Sequence, residues 1–239
     1  MTALLIIFAK EPRPGLVKTR LSPPLSPEEA TQLYHSFLQD IVAEMARVPE
    51  MNLALAYSPS GARDFFRRLT PPGADLFPQE GKDLGERMAR ACARGLAAGF
   101  GPVLLRGGDV PDLPGAVVAE AREVLAAGRA QVVLGPAMDG GYYLVGLAEP
   151  QPGLFRGPAW SSRTVLTDTL RLAEELGLKV HLLPAWPDID TYADLLAFLG
   201  RAHPAPHPGW RSHREACRLL ELAEGRRGAP TRRDAEDRA

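Results

Sequence analysis

The sequence predicts an α/β fold built on a mostly parallel, mixed sheet, and three observations carry that expectation. Ala3 to Ala9 is a short, continuous apolar run with Pro12, Pro14 and Gly15 close behind, the pattern of a strand buried on both faces. Comparable runs recur along the chain and alternate with segments of helical periodicity, as βα units do. Around Asp139-Gly140-Gly141 the alternation breaks, because Tyr142–Leu147 follows the preceding strand without a helix, so the sheet contains a local β-β link.

Taken in order, Ser26-Pro27-Glu28-Glu29 is a helix start with a capping box, and apolar residues from Ala30 to Met45 fall on one face of a helix over 27–47. Met51 to Tyr57 reads as the second strand, and a short helix over 61–69 ends at Pro71-Pro72-Gly73. Asp83 with Glu86 forms a second capping box, and Leu84, Met88, Ala91, Cys92 and Leu96 mark the buried face of the helix it starts. Gly85 in its first turn costs about 1 kcal/mol against alanine; close approach of a partner or ligand and simple looseness account for it equally well.

Pro102 to Arg106 is a strand, residues 115–127 a helix and Gln131 to Leu134 another buried strand. Residues 164–176 are helical, Lys179 to Leu183 is the last strand, and a helix capped most simply by Asp190 runs to about Gly200. The expected organisation is one nucleotide-dependent domain over 1–202. A linker, a peripheral helix over 211–224 and a disordered charged tail fill 203–239.

A net charge of −1 argues against a broad nucleic-acid surface. No stretch approaches 18 apolar residues, so the expectation is a cytoplasmic protein without a membrane segment. The two cysteines make neither a metal spacing nor a disulfide framework, and Cys92 reads as a buried structural thiol. Arginine outnumbers lysine 24 to 4, yet two of the four lysines stand in the loop behind the first strand.

That loop, Lys10 to Leu21, carries Lys10, Arg13, Lys18 and Arg20 around Gly15 and reads either as a phosphate site or as a solvated basic loop. Acidic residues follow the later strands: Asp109 and Asp112, Asp139, then Asp188 and Asp190. Carboxylates gathered at one edge repel and favour a hard divalent cation, which would take one or two of them plus phosphate oxygens. Asp112 and Asp190 also suit helix caps, whereas Asp109 follows Gly107-Gly108 with no such helix to serve. Asp139-Gly140-Gly141 suits a hairpin turn and a ligand-facing loop equally well. Tyr142 and Tyr143 face opposite ways, so at most one reaches a site. Gly15-Leu16-Val17-Lys18-Thr19 lacks the glycine before lysine of a phosphate-binding P-loop. Gly-x-Gly-x-x-Gly, Gly-x-Ser-x-Gly and paired metal-binding histidines are missing.

The stretches FAKEPRPGLVKTRL, QEGKDLGERM, GGDVPDLP, PAMDGGYYLVGL, Trp160-Ser161-Ser162 and PDIDTYADL, in this order over residues 4–200, resemble the nucleotide-diphospho-sugar transferase superfamily. Within it the chain is most similar to the bacterial arsenosugar-biosynthesis-type glycosyltransferases. The cation loop also resembles that of phospholactate and molybdenum-cofactor guanylyltransferases.

The resemblance implies a GT-A-like, Rossmann-like three-layer sandwich and a transferase using a nucleotide-activated donor, a small-molecule acceptor and Mg²⁺ or Mn²⁺. It implies that Phe8, Ala9, Lys10, Gly15, Gln79, Leu84 and Gly85 bind the nucleotide, with Lys18 and Arg20 on its phosphates. Asp109, with Asp190 or Asp188, would hold the metal, and Asp139, Gly140, Gly141 and Tyr142 would face sugar or acceptor. Lys18, Arg20, Asp109 and Asp139 are the expected catalytic residues, Asp139 as the base. The usual Asp-x-Asp is replaced by Asp109-Val110-Pro111-Asp112, which departs from a two-aspartate metal grip. Glycosyl transfer from a nucleotide sugar, nucleotidyl transfer from a nucleoside triphosphate, and a non-catalytic nucleotide-binding module are the three readings, in that order.

Overall fold

The computed structural model describes residues 2–157, 159–160, 162–201 and 210–228. Ser161 and the expected linker and tail at 203–209 and 229–239 lie outside the described residues. The chain divides into two compact units, residues 1–11 with 37–189, and residues 12–36 with 190–239.

The first unit holds a seven-stranded mixed sheet. Its strands are β1 (Ala3–Lys10), β2 (Met51–Ser58), β3 (Asp75–Pro78), β4 (Val103–Arg106), β5 (Val132–Pro136), β6 (Tyr142–Leu147) and β7 (Val180–Leu182). Their order across the sheet is β3-β2-β1-β4-β6-β5-β7. β1 pairs in parallel with β2 and β4, while β6 is antiparallel to both β4 and β5. The expected mixed sheet is therefore observed, and its single reversed strand is the one joined by the glycine link. β3 escapes sequence reading because Asp75-Leu76-Phe77-Pro78 is too short and too polar for an apolar run.

Helices cover both faces, as successive side chains on a strand point to opposite sides. On one face Leu4, Ile6, Phe8, Val103 and Leu105 pack with Met88, Ala91 and Cys92 of α3 (Leu84–Ala97) and Ala173 of α5 (Val165–Glu175). Gly95 of α3 lies so near the sheet that an added Cβ would meet Leu4 Cδ2 at 2.8 Å. On the other face α4 (Gly115–Ala126) sits against Gly146, where a Cβ would meet Leu125 Cδ1 at 2.9 Å. The helix cap expected at Asp83 is present, accepting from Glu86 N at 2.8 Å. The Glu86 carboxylate caps Lys82 N instead of closing a reciprocal box.

The second unit comprises residues 12–21 of the cation loop, residues 27–36 of α1 (Pro27–Met45), α6 (Tyr192–Gly200) and α7 (Arg211–Gly228). The capping box at Ser26 and Glu29 is formed as expected. Glu29 also takes both guanidinium nitrogens of Arg226, which hold its carboxyl below the usual range. α7 continues four residues past the expected end at 224, since Ala223 is still a buried anchor in its last turns. Thr191, and not Asp190, caps α6: its hydroxyl accepts from Asp194 N, and the Asp194 carboxylate returns the bond to Thr191 N at 2.7 Å. Among the described residues no helix is long and apolar enough to cross a membrane.

Burial pushes the Cys92 thiol up to about 12. The folded state therefore binds its proton more tightly than the unfolded chain does. This contribution to stability is intact below the ordinary thiol range and is lost as pH rises toward 12. A Cys217→Ser variant is expected to give no reaction with a thiol reagent at pH 8 when native, and one equivalent in denaturant. Reaction of the native variant would contradict the burial.

Candidate functional site

In the first unit, the direction of the strands determines where the acidic residues arrive. β4, β5 and β7 run parallel to β1, so their carboxyl ends share one edge. Asp109 leaves β4 on the loop Gly107–Val110, with its carbonyl oxygen accepting from Ile189 N at 3.0 Å. Beyond β7 the chain forms a parallel bridge between Trp186 and Ala137, and Trp186 N donates to Pro136 O at 3.0 Å. Two residues further along each partner stand Asp188 and Asp139, whose carboxylates offer oxygens within 4.8 Å of one another. Two carboxylates at that spacing, with oxygen as the only ligand type, suit a hard divalent cation.

Asp139-Gly140-Gly141 is the link between β5 and β6, and the Asp139 carboxylate accepts from Gly141 N at 2.8 Å. Gly140 has φ +94°, and a Cβ there would lie 2.1 Å from the Arg163 carbonyl oxygen. The two neighbouring tyrosines face opposite ways, as expected. Tyr142 turns into the core beside Cys92, with its hydroxyl buried, and Tyr143 donates its hydroxyl to Pro184 O at 2.8 Å.

Of the residues expected to face a nucleoside, Phe8, Ala9, Lys10, Gln79, Leu84 and Gly85 belong to the first unit. Phe8 and Ala9 are buried in β1 and Lys10 ends it exposed. Gln79 N donates to Tyr57 O, and its side-chain amide donates to Ala56 O at 2.9 Å and Ala9 O at 3.3 Å. With its NH₂ group facing two main-chain carbonyls, the Gln79 carbonyl oxygen is the atom suited to receive a ligand's donor. Leu84 is exposed at the start of α3. The close approach at Gly85 comes from the protein itself, since a Cβ would meet Trp160 Nε1 and Phe155 O at 2.5 Å.

In the second unit the cations of the loop turn to Asp190. Gly15 has φ +74° and turns the loop. Lys18 also has positive φ, at 48°, a conformation costing a lysine of order 1 kcal/mol. Its side chain is only 4% exposed, and Nζ donates to Asp190 Oδ1 at 2.8 Å. Arg20 Nη1 lies 3.8 Å from Asp190 Oδ2, but at 69% exposure this pairing is weak. Asp194 accepts from Asp190 N at 3.2 Å, which steadies the backbone under Asp190. Burial raises the Asp194 carboxyl, and the bonds from Thr191 and Asp190 outweigh it and leave the group lowered.

Asp112 does not cap α4. It is 3% exposed and accepts from Trp186 Nε1 at 3.1 Å, and Pro114 occupies the cap position. Arg106, at the end of β4, is the residue the sequence reading missed. Its guanidinium is 1% exposed and donates to Gly107 O and Val110 O, the two carbonyls that bracket Asp109. The signal was present as an arginine closing the apolar run Val103-Leu104-Leu105.

Alanine at Gly140 is expected to lower stability by more than 1 kcal/mol, because both φ and the Arg163 main chain oppose it. Alanine at Gly141 meets only the Asp139 side chain, at 3.1 Å, and is expected to cost less. Equal urea midpoints for the two variants would contradict this packing.

No curated protein matches the sequence. A crystal structure from Desulfovibrio desulfuricans G20 is 31% identical, with a TM-score of 0.87 and coverage of 94% of this chain and 98% of that one. Its assignment as a nucleotide-diphospho-sugar transferase is itself given as provisional. The 4-diphosphocytidyl-2C-methyl-D-erythritol synthase of Anaerococcus prevotii DSM 20548 shares the fold at 13% identity and a TM-score of 0.54, over 84% and 96% of the chains. A cytidylyltransferase of Leptospira borgpetersenii serovar Hardjo-bovis shares it at 11% identity and 0.53, over 95% of each. Residues 41–162 match the family described as "Uncharacterized protein conserved in bacteria (DUF2064)", and the chain belongs to that family.

Proposed function

We propose that the protein is a metal-assisted transferase that moves a glycosyl group from a nucleotide-diphospho-sugar to a small acceptor. The observation that carries this reading is covalent. Asp188, beside Asp139, and Asp190, the partner of Lys18 and Arg20, are separated in the chain by Ile189 alone, whose N–H is bonded to the Asp109 carbonyl. An acid suited to a divalent cation and the acid that holds the bases suited to phosphate thus belong to one short stretch of chain. Support also comes from the 31% identical relative, described as a sugar transferase of this type. The resemblance to arsenosugar-type glycosyltransferases favours the glycosyl branch.

In this reading Phe8, Ala9, Lys10, Gly15, Gln79, Leu84 and Gly85 surround the nucleoside, with Gln79 as an acceptor and Leu84 and Gly85 contributing main chain. Lys18 and Arg20 exchange part of their pairing with Asp190 for the diphosphate. Asp109, Asp188 and Asp190 hold Mg²⁺ or Mn²⁺, which when bound stabilises charge on the leaving diphosphate. The acceptor hydroxyl attacks the anomeric carbon, the bond from that carbon to the diphosphate oxygen breaks, and Asp139 takes the hydroxyl proton. Gly140, Gly141 and the main chain of Tyr142 line the acceptor side.

A second reading rests on Lys18-Thr19-Arg20-Leu21, which resembles the guanylyltransferase loop and would serve equally for attack on the α-phosphorus of a nucleoside triphosphate.

Thermal-shift titration separates them. A nucleotide sugar with Mn²⁺ at a hundredfold excess over Kd is expected to stabilise the protein by about 2.7 kcal/mol. The same ligand is expected to lose its Mn²⁺-dependent part in Asp109→Asn, with the ligand-free Tm unchanged. A larger shift with a nucleoside triphosphate would favour nucleotidyl transfer, and stabilisation by neither would reject both.

A further inference from the structure

Arg106 carries a charge in a place where a charge is expensive. Its side chain is among the largest fully buried ones of the chain, at the end of the central strand β4. Burial pulls its pKa down to about 10, a shift opposed by Asp112, Asp109, Tyr143 and Glu44. It therefore remains protonated at neutral pH. Stability alone does not account for such a group, because apolar residues of similar volume commonly replace buried charges at no loss. Nor is its bonding saturated, since Nη1 finds no acceptor among the described residues.

What the side chain does accomplish is local. Nε donates to Gly107 O at 3.2 Å and Nη2 to Val110 O, so one rigid planar fork spans the turn that carries Asp109. The same turn is fixed from outside by Ile189 N on Asp109 O and by Gly107 N on Tyr143 O. Asp112, two residues past Val110, is tied by Trp186 Nε1 to the segment that leads to Asp188. Glycines at 107 and 108 leave the loop little stiffness of its own.

We infer that Arg106 is a positioning residue: its buried fork sets the loop that aims Asp109 and, through Ile189, the register of Asp188 beside it. The inference rests on the metal-assisted reading above. A lysine keeps the charge but cannot span both carbonyls, and a methionine keeps the bulk without either property. Groups that orient ligating residues typically change metal affinity by 10- to 100-fold when removed.

The test uses the full chain as wild type, Arg106→Met and Arg106→Lys. Mn²⁺ affinity is measured by electron paramagnetic resonance, and amide hydrogen exchange is measured on the metal-free proteins. Expected are at least tenfold weaker Mn²⁺ binding in Arg106→Met, partial recovery in Arg106→Lys, and faster exchange confined to residues 107–112 and 186–190. Should the methionine variant fail to fold, the lysine variant is expected to show the same local signature at smaller size. Folded variants with wild-type Mn²⁺ affinity would overturn the inference, as would exchange that rises uniformly through β1. If the wild type itself binds no Mn²⁺, the metal reading fails, and local exchange at 107–112 alone then decides whether Arg106 sets the loop.

Discussion

Parallel pairing of β1 with β2 and β4 is the constraint on which the rest of the first unit depends. The register couples Ile7 to Arg106 and Lys10 to Ser58, so β1 and β2 end together and β4 ends three residues earlier on the same side. Their following loops open on one edge, and β5 and β7 add the ends that lead to Asp139 and Asp188. A one-residue slip of β1 would turn Leu4, Ile6 and Phe8 away from α3, so burial enforces the arrangement. The position of each carboxylate is thus a consequence of hydrophobic register more than of any interaction among the charges.

That edge concentrates groups which a fold selected for stability alone would avoid. Asp139 and Asp188 stand close with like charge, and Arg106 is buried. In the second unit Lys18 occupies a left-handed backbone position that its side chain disfavours. Each is individually tolerable, because Arg106 finds two carbonyls and Lys18 finds Asp190. Within the first unit, a buried charge and crowded carboxylates at the ends of one set of strands are the usual mark of a ligand site.

Most of this framework was legible in the sequence because it follows from period and punctuation. Apolar runs gave the central strands, the Ser26–Glu29 box gave a helix start, and Asp139-Gly140-Gly141 betrayed the reversed strand. β3 was illegible since four residues with Asp75 and Pro78 at their ends make no pattern, and only pairing with β2 renders them a strand. Position alone suits Asp190 and Asp112 to helix caps. The hydroxyl of Thr191 and the indole of Trp186 took them out of that role, a competition that spacing does not encode. Close approach and looseness explain Gly85 equally well from the sequence, and the occupant that decides it, Trp160, lies 75 residues away in the chain. Arg106 is illegible because an arginine after three apolar residues reads as a strand leaving the core, whereas here the core closes over it.

The account stands on acids and bases from these loops acting on a single diphosphate. Its most direct test is anomalous diffraction at the manganese edge from crystals grown with Mn²⁺ and a nucleoside diphosphate. The account predicts one manganese ligated by Asp109 or Asp188 and by a phosphate oxygen, with Lys18 Nζ bonded to the same diphosphate. Manganese bound away from these aspartates, or a diphosphate held without Lys18, would contradict it.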